Sequence, residues 1–99
     1  MDYTLEHIYC QKNKAKLSNQ SLMDNIGNLT LLEGKNSQNG HKGNSSMGAK
    51  TYDKKIESYK GSSSKITRTI VDNYNAFTEE TIITRNNQII ELLNDYTNY

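Results

Sequence analysis

The stretch from Glu33 to Gly48 most constrains how this chain can fold. It holds four of the six glycines (Gly34, Gly40, Gly43 and Gly48), with turn signals at Asn36-Ser37, Asn39-Gly40 and Asn44-Ser45-Ser46. It reads as one long irregular loop, and long loops inside compact domains are often functional. The residues before it favour strands. Tyr3 to Tyr9 is β-branched and aromatic with rough alternation, and Ile26 to Leu32 is the most apolar segment. Between them, Lys12 to Asn25 is polar with Leu17, Leu22 and Met23 as anchors, which suggests a loop with one helical turn. The residues after the loop favour helices. Tyr52, Ile56 and Tyr59 form a stripe at helical spacing that Gly61 ends. Ser62-Ser63-Ser64 offers N-caps to a helix through Ile66, Ile70, Val71 and Tyr74. Thr78 caps a last helix with Glu79 and Glu80 in its first turn and Ile82, Ile83, Ile89, Ile90, Leu92, Leu93 and Tyr96 along it. The predicted class is α+β.

The core is lean. Apolar residues make up 33% of 99 residues, with one Phe and no Trp, against roughly 45% in ordinary globular chains. That favours one domain, read as a fragment or the C-terminal domain of something larger. A single cysteine, Cys10, excludes an internal disulfide and a cysteine-rich zinc site. No apolar run is long enough to span a membrane, and the N-terminus lacks a basic-then-apolar signal. A cytoplasmic setting is expected.

The net charge of +1 hides a strong asymmetry. Residues 35–68 carry eight basic side chains, among them Lys35, Lys42 and Lys50, against Asp53 and Glu57 only. Residues 69–99 carry Arg85 against five acids. A basic middle attracts phosphate backbones, although a solvated lysine-rich face would give the same count.

Four features lie close together: Glu6-His7 near the end of one strand, Asn28 opening the next, Asn36 just beyond it, and the basic glycine-rich stretch. Such a set suits phosphodiester hydrolysis. A neutral imidazole can take a proton from water near pH 7. A carboxylate and an amide oxygen suit a hard divalent ion, which offsets charge on the phosphate. Lysines hold neighbouring phosphates.

Glu6-His7-Ile8-Tyr9-Cys10-Gln11, then Ile26-Gly27-Asn28-Leu29-Thr30-Leu31-Leu32, then Asn36, Asn44 and Lys50 resemble the HNH, or His-Me finger, nucleases. The pattern is most similar to the domain of unknown function 1524, at the C-terminus of GmrSD-type, modification-dependent restriction proteins. The resemblance implies a ββα-metal core over about residues 3–60, with added helices over about 64–97. It implies a DNA endonuclease in which His7 is the general base and Asn28 holds the histidine loop. Glu6 and Asn36 would be ligands to a divalent metal, Mg²⁺ or alternatively Mn²⁺ or Ni²⁺. Asn39, His41 and Asn44 are alternatives for the second ligand. Lys35, His41, Lys42, Asn44 and Lys50 would contact DNA. Larger relatives carry a nucleotide-dependent N-terminal domain, so such a domain or a partner subunit is a further expected partner. Cys10 stands where the family commonly has proline.

Plainer readings exist for each residue. His7 alone would be an ordinary histidine, Glu6 a solvated strand charge, Asn28 a turn residue after Gly27, and His41 an exposed loop residue. Cys10 fits an inert, partly buried thiol. The isoleucine-rich last helix is core, or an interface. Two other functions compete with the nuclease: an inactive nucleic-acid-binding module on the same fold, and a structural remnant of a larger restriction protein.

Overall fold

The computed structural model describes residues 2–36 and 41–97. Two short strands, β1 (Tyr3–His7) and β2 (Leu29–Glu33), pair antiparallel, with His7 opposite Leu29 and Tyr3 opposite Glu33. Among the described residues four α-helices follow: α1 (Asn44–Met47), α2 (Tyr52–Lys60), α3 (Lys65–Asn73) and α4 (Glu79–Thr97). The chain is mixed, with a two-stranded sheet and several helices, which agrees with the α+β expectation.

Several boundaries differ from the sequence reading. Lys12 to Asn25 holds two 3₁₀ turns, Gln11–Lys16 and Gln20–Asp24, rather than a loop with a single turn. Ile26–Asn28 is a further 3₁₀ turn, so β2 begins three residues later than expected. The glycine-rich stretch contains the short helix α1. Asn39 lies outside the described residues.

The core gathers Ile8, Leu22, Met23, Leu32, Tyr52, Tyr59, Ile70, Phe77 and Ile82. The predicted α2 stripe is in place, with Tyr52 and Tyr59 buried and Ile56 half-buried. Helix α4 packs mainly through its first half, against the 3₁₀ turns at Gln20–Asp24 and Ile26–Asn28. Gly27 permits the close approach. A Cβ there would run into the Ile82 carbonyl and the Asn86 side chain. Its N–H donates to Asn86 Oδ1 (2.6 Å) and its carbonyl accepts from Arg85. Gly27→Ala must push α4 away, so it should cost about 1–3 kcal/mol, read as a lower urea midpoint. An unchanged midpoint would contradict this packing. Farther along α4, Ile90, Leu92, Leu93 and Tyr96 are more than half exposed. The predicted apolar stripe therefore enters the core only at its start.

Ser62 and Ser63 do not cap α3. Ser64 does, accepting from the Thr67 N–H. The other two serve Glu33, whose buried carboxylate accepts from Ser62 Oγ (2.7 Å) and from the Ser63 N–H (3.0 Å). Burial pushes the Glu33 pKa up, but these hydrogen bonds and the nearby His41 outweigh it and hold it below the ordinary 4.5. A carboxylate whose folded pKa is depressed stabilises the fold above its unfolded pKa, and that contribution fades as pH falls through the folded value. Glu33→Gln should therefore cost about 1 kcal/mol at pH 7 and flatten the stability curve below about pH 4.5. Circular dichroism against pH checks it, and an acid limb of unchanged steepness would refute it.

Candidate functional site

Adjacent residues of β1 point to opposite faces, and the two members of the Glu6-His7 pair separate accordingly. Glu6 is buried beneath the sheet, where its Oε2 meets Lys55 Nζ at 3.1 Å and accepts from the Tyr59 hydroxyl at 2.9 Å. Burial raises the Glu6 pKa, and the Lys55 charge opposes that rise. Burial and the Glu6 charge together push Tyr59 ionisation up. Lys55 also donates to the His7 carbonyl at 2.7 Å, tying α2 to the end of β1. The expectation that Glu6 holds a metal meets a carboxylate already committed to an internal ion pair.

His7 is turned the other way and lines a cleft of about 450 Å³ with Leu5, Gln11, Lys12, Asn44, Gly48 and Ala49, to whose wall Glu6 also contributes. Its Nε2 lies 2.9 Å from Asp24 Oδ1, at the end of the second 3₁₀ turn. An ionised carboxylate only accepts, so the contact places the imidazole proton on Nε2 and leaves the lone pair on Nδ1. Asp24 is a partner of His7 that the sequence reading missed. It stands seventeen positions from His7 in a segment with no motif.

Asn28 is fully buried and clamps the residues just after His7. Its Oδ1 accepts from the Tyr9 N–H (2.7 Å), and its Nδ2 donates to the carbonyls of Tyr9 (3.1 Å) and Met23 (2.9 Å). Its own carbonyl accepts from the Ile8 N–H at 2.9 Å. The side chain thus holds both the histidine strand and the turn that carries Asp24.

The remaining expected residues scatter. Asn36 closes its own loop, donating to Ser46 Oγ (2.8 Å) and accepting from the Gly43 N–H (3.0 Å). Asn44, at the start of α1, does reach the cleft, where its Nδ2 donates to Thr4 Oγ1 (2.8 Å) and the Leu5 carbonyl (3.1 Å). His41 is not an exposed loop residue. Its ring is 16% exposed and its Nε2 stands 3.6 Å from Glu33 Oε2. Lys35 and Lys42 are exposed, but neither lines the His7 cleft. Lys50 lines a trough with Lys12, Ala49, Thr51 and Lys54. Lys12 and Ala49 also line the His7 cleft, so the trough runs directly into it. Lys12 and Lys54 are therefore additions to the expected basic set.

The family model for the C-terminal domain of GmrSD restriction endonucleases matches residues 1–92. The chain belongs to this family. No curated protein and no solved structure matches it. Membership ties the domain to restriction endonucleases, and at that level to nuclease function. No helix among the described residues is long and apolar enough to cross a membrane.

Proposed function

We propose that this GmrSD-family domain is an endonuclease of the ββα type that hydrolyses DNA phosphodiester bonds, acting in restriction of foreign or modified DNA. One arrangement carries the reading. His7 opens into a cleft with Nε2 engaged by Asp24, its carbonyl held by Lys55 and its following residues held by Asn28, beside a trough of three exposed lysines. A base fixed from three sides next to a phosphate-attracting surface suits water activation. In the proposed step the water oxygen bonds to phosphorus and its proton passes to His7 Nδ1. The bond from phosphorus to the leaving sugar oxygen breaks, and that oxygen takes a proton from solvent. Lys12, Lys50 and Lys54 hold phosphates on either side of the one attacked.

The resemblance implies a divalent ion, yet the donors do not form a preformed chelate. The Glu6 carboxylate is buried with Lys55, the Asn36 amide closes a loop, and no cluster of three His, Cys, Asp or Glu stands together among the described residues. An ion here would draw most of its shell from water and substrate phosphate oxygens.

The test is nicking of supercoiled plasmid by the purified chain with Mg²⁺, Mn²⁺, Ni²⁺ or EDTA, beside His7→Ala. Cleavage lost in the variant supports the reading. Cleavage that survives it would remove His7 as the base. A folded chain that binds DNA without nicking it would favour the binding-module alternative.

A further inference from the structure

Glu79, the first residue of α4, does not line the His7 cleft, yet its carboxylate closes a contact across 61 positions of chain. Its Oε1 accepts from the Ser18 N–H (2.6 Å) and from the Asn19 N–H (3.3 Å). The Ser18 hydroxyl also donates to the carboxylate and stands 2.7 Å from either oxygen. An acid in the first turn of a helix ordinarily serves the helix dipole. Its neighbour Glu80 is an acid of that kind, and it accepts from the Thr78 hydroxyl just before its own turn (3.1 Å). Glu79 does something further. It draws three donors from another segment onto one ionised group, and bonds to an ionised acceptor are the stronger kind.

The segment held in this way leads to His7. Asn19 is the N-cap of the 3₁₀ turn Gln20–Asp24. Its Oδ1 accepts from the Ser21 N–H (3.1 Å) and hydroxyl (2.7 Å), and its carbonyl accepts from the Leu22 N–H (3.1 Å). A 3₁₀ turn has poorer hydrogen-bond geometry than an α-helix, so one of five residues depends on how its ends are fixed. Its last residue is Asp24, whose Oδ1 lies 2.9 Å from His7 Nε2. The Asp24 side chain is 76% exposed, so its aim comes from the backbone that carries it. That backbone is held at the far end by the buried Leu22 and Met23, and by Asn28 Nδ2 on the Met23 carbonyl (2.9 Å). Glu79 holds the near end.

We propose that Glu79 is a positioning residue for His7. By clasping Ser18 and Asn19 it sets the 3₁₀ turn whose last residue, Asp24, aims the imidazole. The proposal rests on the cleavage reading above and adds to it a group on α4, a helix that contributes no residue to the cleft. The line runs from Glu79 through Ser18 and Asn19 to Asp24 and then to Nε2 of the base.

The test is single-turnover nicking of supercoiled plasmid by the full chain and its variants, each checked for folding by circular dichroism. Glu79→Ala should lower the rate at saturating enzyme by up to about tenfold, the loss expected when the Asp24 contact is broken. The half-saturating enzyme concentration should not change. Glu79→Gln should recover most of the rate, because its amide oxygen still accepts from the Ser18 N–H. Glu80→Ala removes the same charge from the same helical turn and should nick like wild type. Glu79→Ala/Asp24→Asn should be no slower than Asp24→Asn alone, since two residues on one line do not act additively. In the substrate-free chain, nuclear magnetic resonance should show the amides of Ser21 to Asp24 and the His7 ring protons shifted by Glu79→Ala and unmoved by Glu80→Ala. Wild-type nicking by Glu79→Ala, multiplied losses in the double variant, or an unmoved His7 ring would each overturn the proposal and leave the cleavage reading standing. A folded wild-type chain that does not nick overturns the cleavage reading and this proposal together.

Discussion

Lys55→Met is expected to destabilise the chain by about 3–5 kcal/mol, the usual cost of removing one partner from a buried ion pair. The Nζ of Lys55 is wholly buried and meets the Glu6 carboxylate at 3.1 Å. Without it, the Tyr59 hydroxyl is the one side-chain partner left to Glu6 among the described residues. The loss is large against the roughly 5–15 kcal/mol that holds a typical domain together. It should also depend on pH. Burial already raises the Glu6 pKa, and losing the lysine raises it further. A carboxyl whose folded pKa is raised favours the fold below its unfolded pKa and costs stability as pH rises through the folded value. The variant should therefore suffer less at pH 4.5 than at pH 8. Glu6→Gln/Lys55→Met should recover most of the stability, because a neutral amide can still accept from Tyr59. Urea unfolding followed by circular dichroism and by the fluorescence of the seven tyrosines reads all three. A single variant as stable as the parent, or a double variant no better than the single, would contradict the pairing. The rescued double variant should still nick slowly, because the His7 carbonyl loses its Lys55 donor.

His7→Ala should lower the nicking rate by about 10²–10⁴, the usual contribution of a positioned general base, with little change in stability. Asp24→Asn is the more informative partner. Asp24 is 76% exposed on its side chain, and exposed ion pairs contribute only about 0–1 kcal/mol to folding. Its removal should leave the unfolding midpoint almost unmoved. The asparagine amide can offer either a donor or an acceptor, so the imidazole proton is no longer assigned to Nε2. We expect about a tenfold fall in rate, smaller than for His7→Ala, with an altered pH profile. Equal rates for wild type and Asp24→Asn at every pH would show that Asp24 does not orient the base.

The sequence was most informative where local chemistry and spacing decide the structure. The α2 stripe, the Gly61 stop and the acidic start of α4 follow from helical period and end preferences. Asn28 could be singled out because it opens the second apolar run, and the structure seats it against Tyr9 and Met23. Long-range pairings were not legible. Lys55 looked like one more charge in a basic run, because nothing local marks a lysine that will meet Glu6 across 49 positions. Asp24 was hidden for the same reason. The partners of Asn36 and His41 were not legible either: Asn36 bonds to Ser46 and the Gly43 N–H, and His41 stands beside the buried Glu33. The helical reading of α4 was sound, but periodicity cannot say how far along a helix its partner extends.

Strand β1 is anchored and open at once: the Glu6–Lys55 pair secures it, while Leu5, Glu6 and His7 all contribute to the wall of the cleft, with Lys12 close by. Leu5, Lys12, Lys50 and Lys54 are exposed and take no part in the ion pair, so substitutions there leave it in place. Under the proposed function, substrate preference can therefore be engineered at Leu5, Lys12 and the trough lysines at little cost to folding stability. A laboratory library confined to those positions should retain a folded majority, whereas one that includes Glu6, Lys55 and Tyr59 should not.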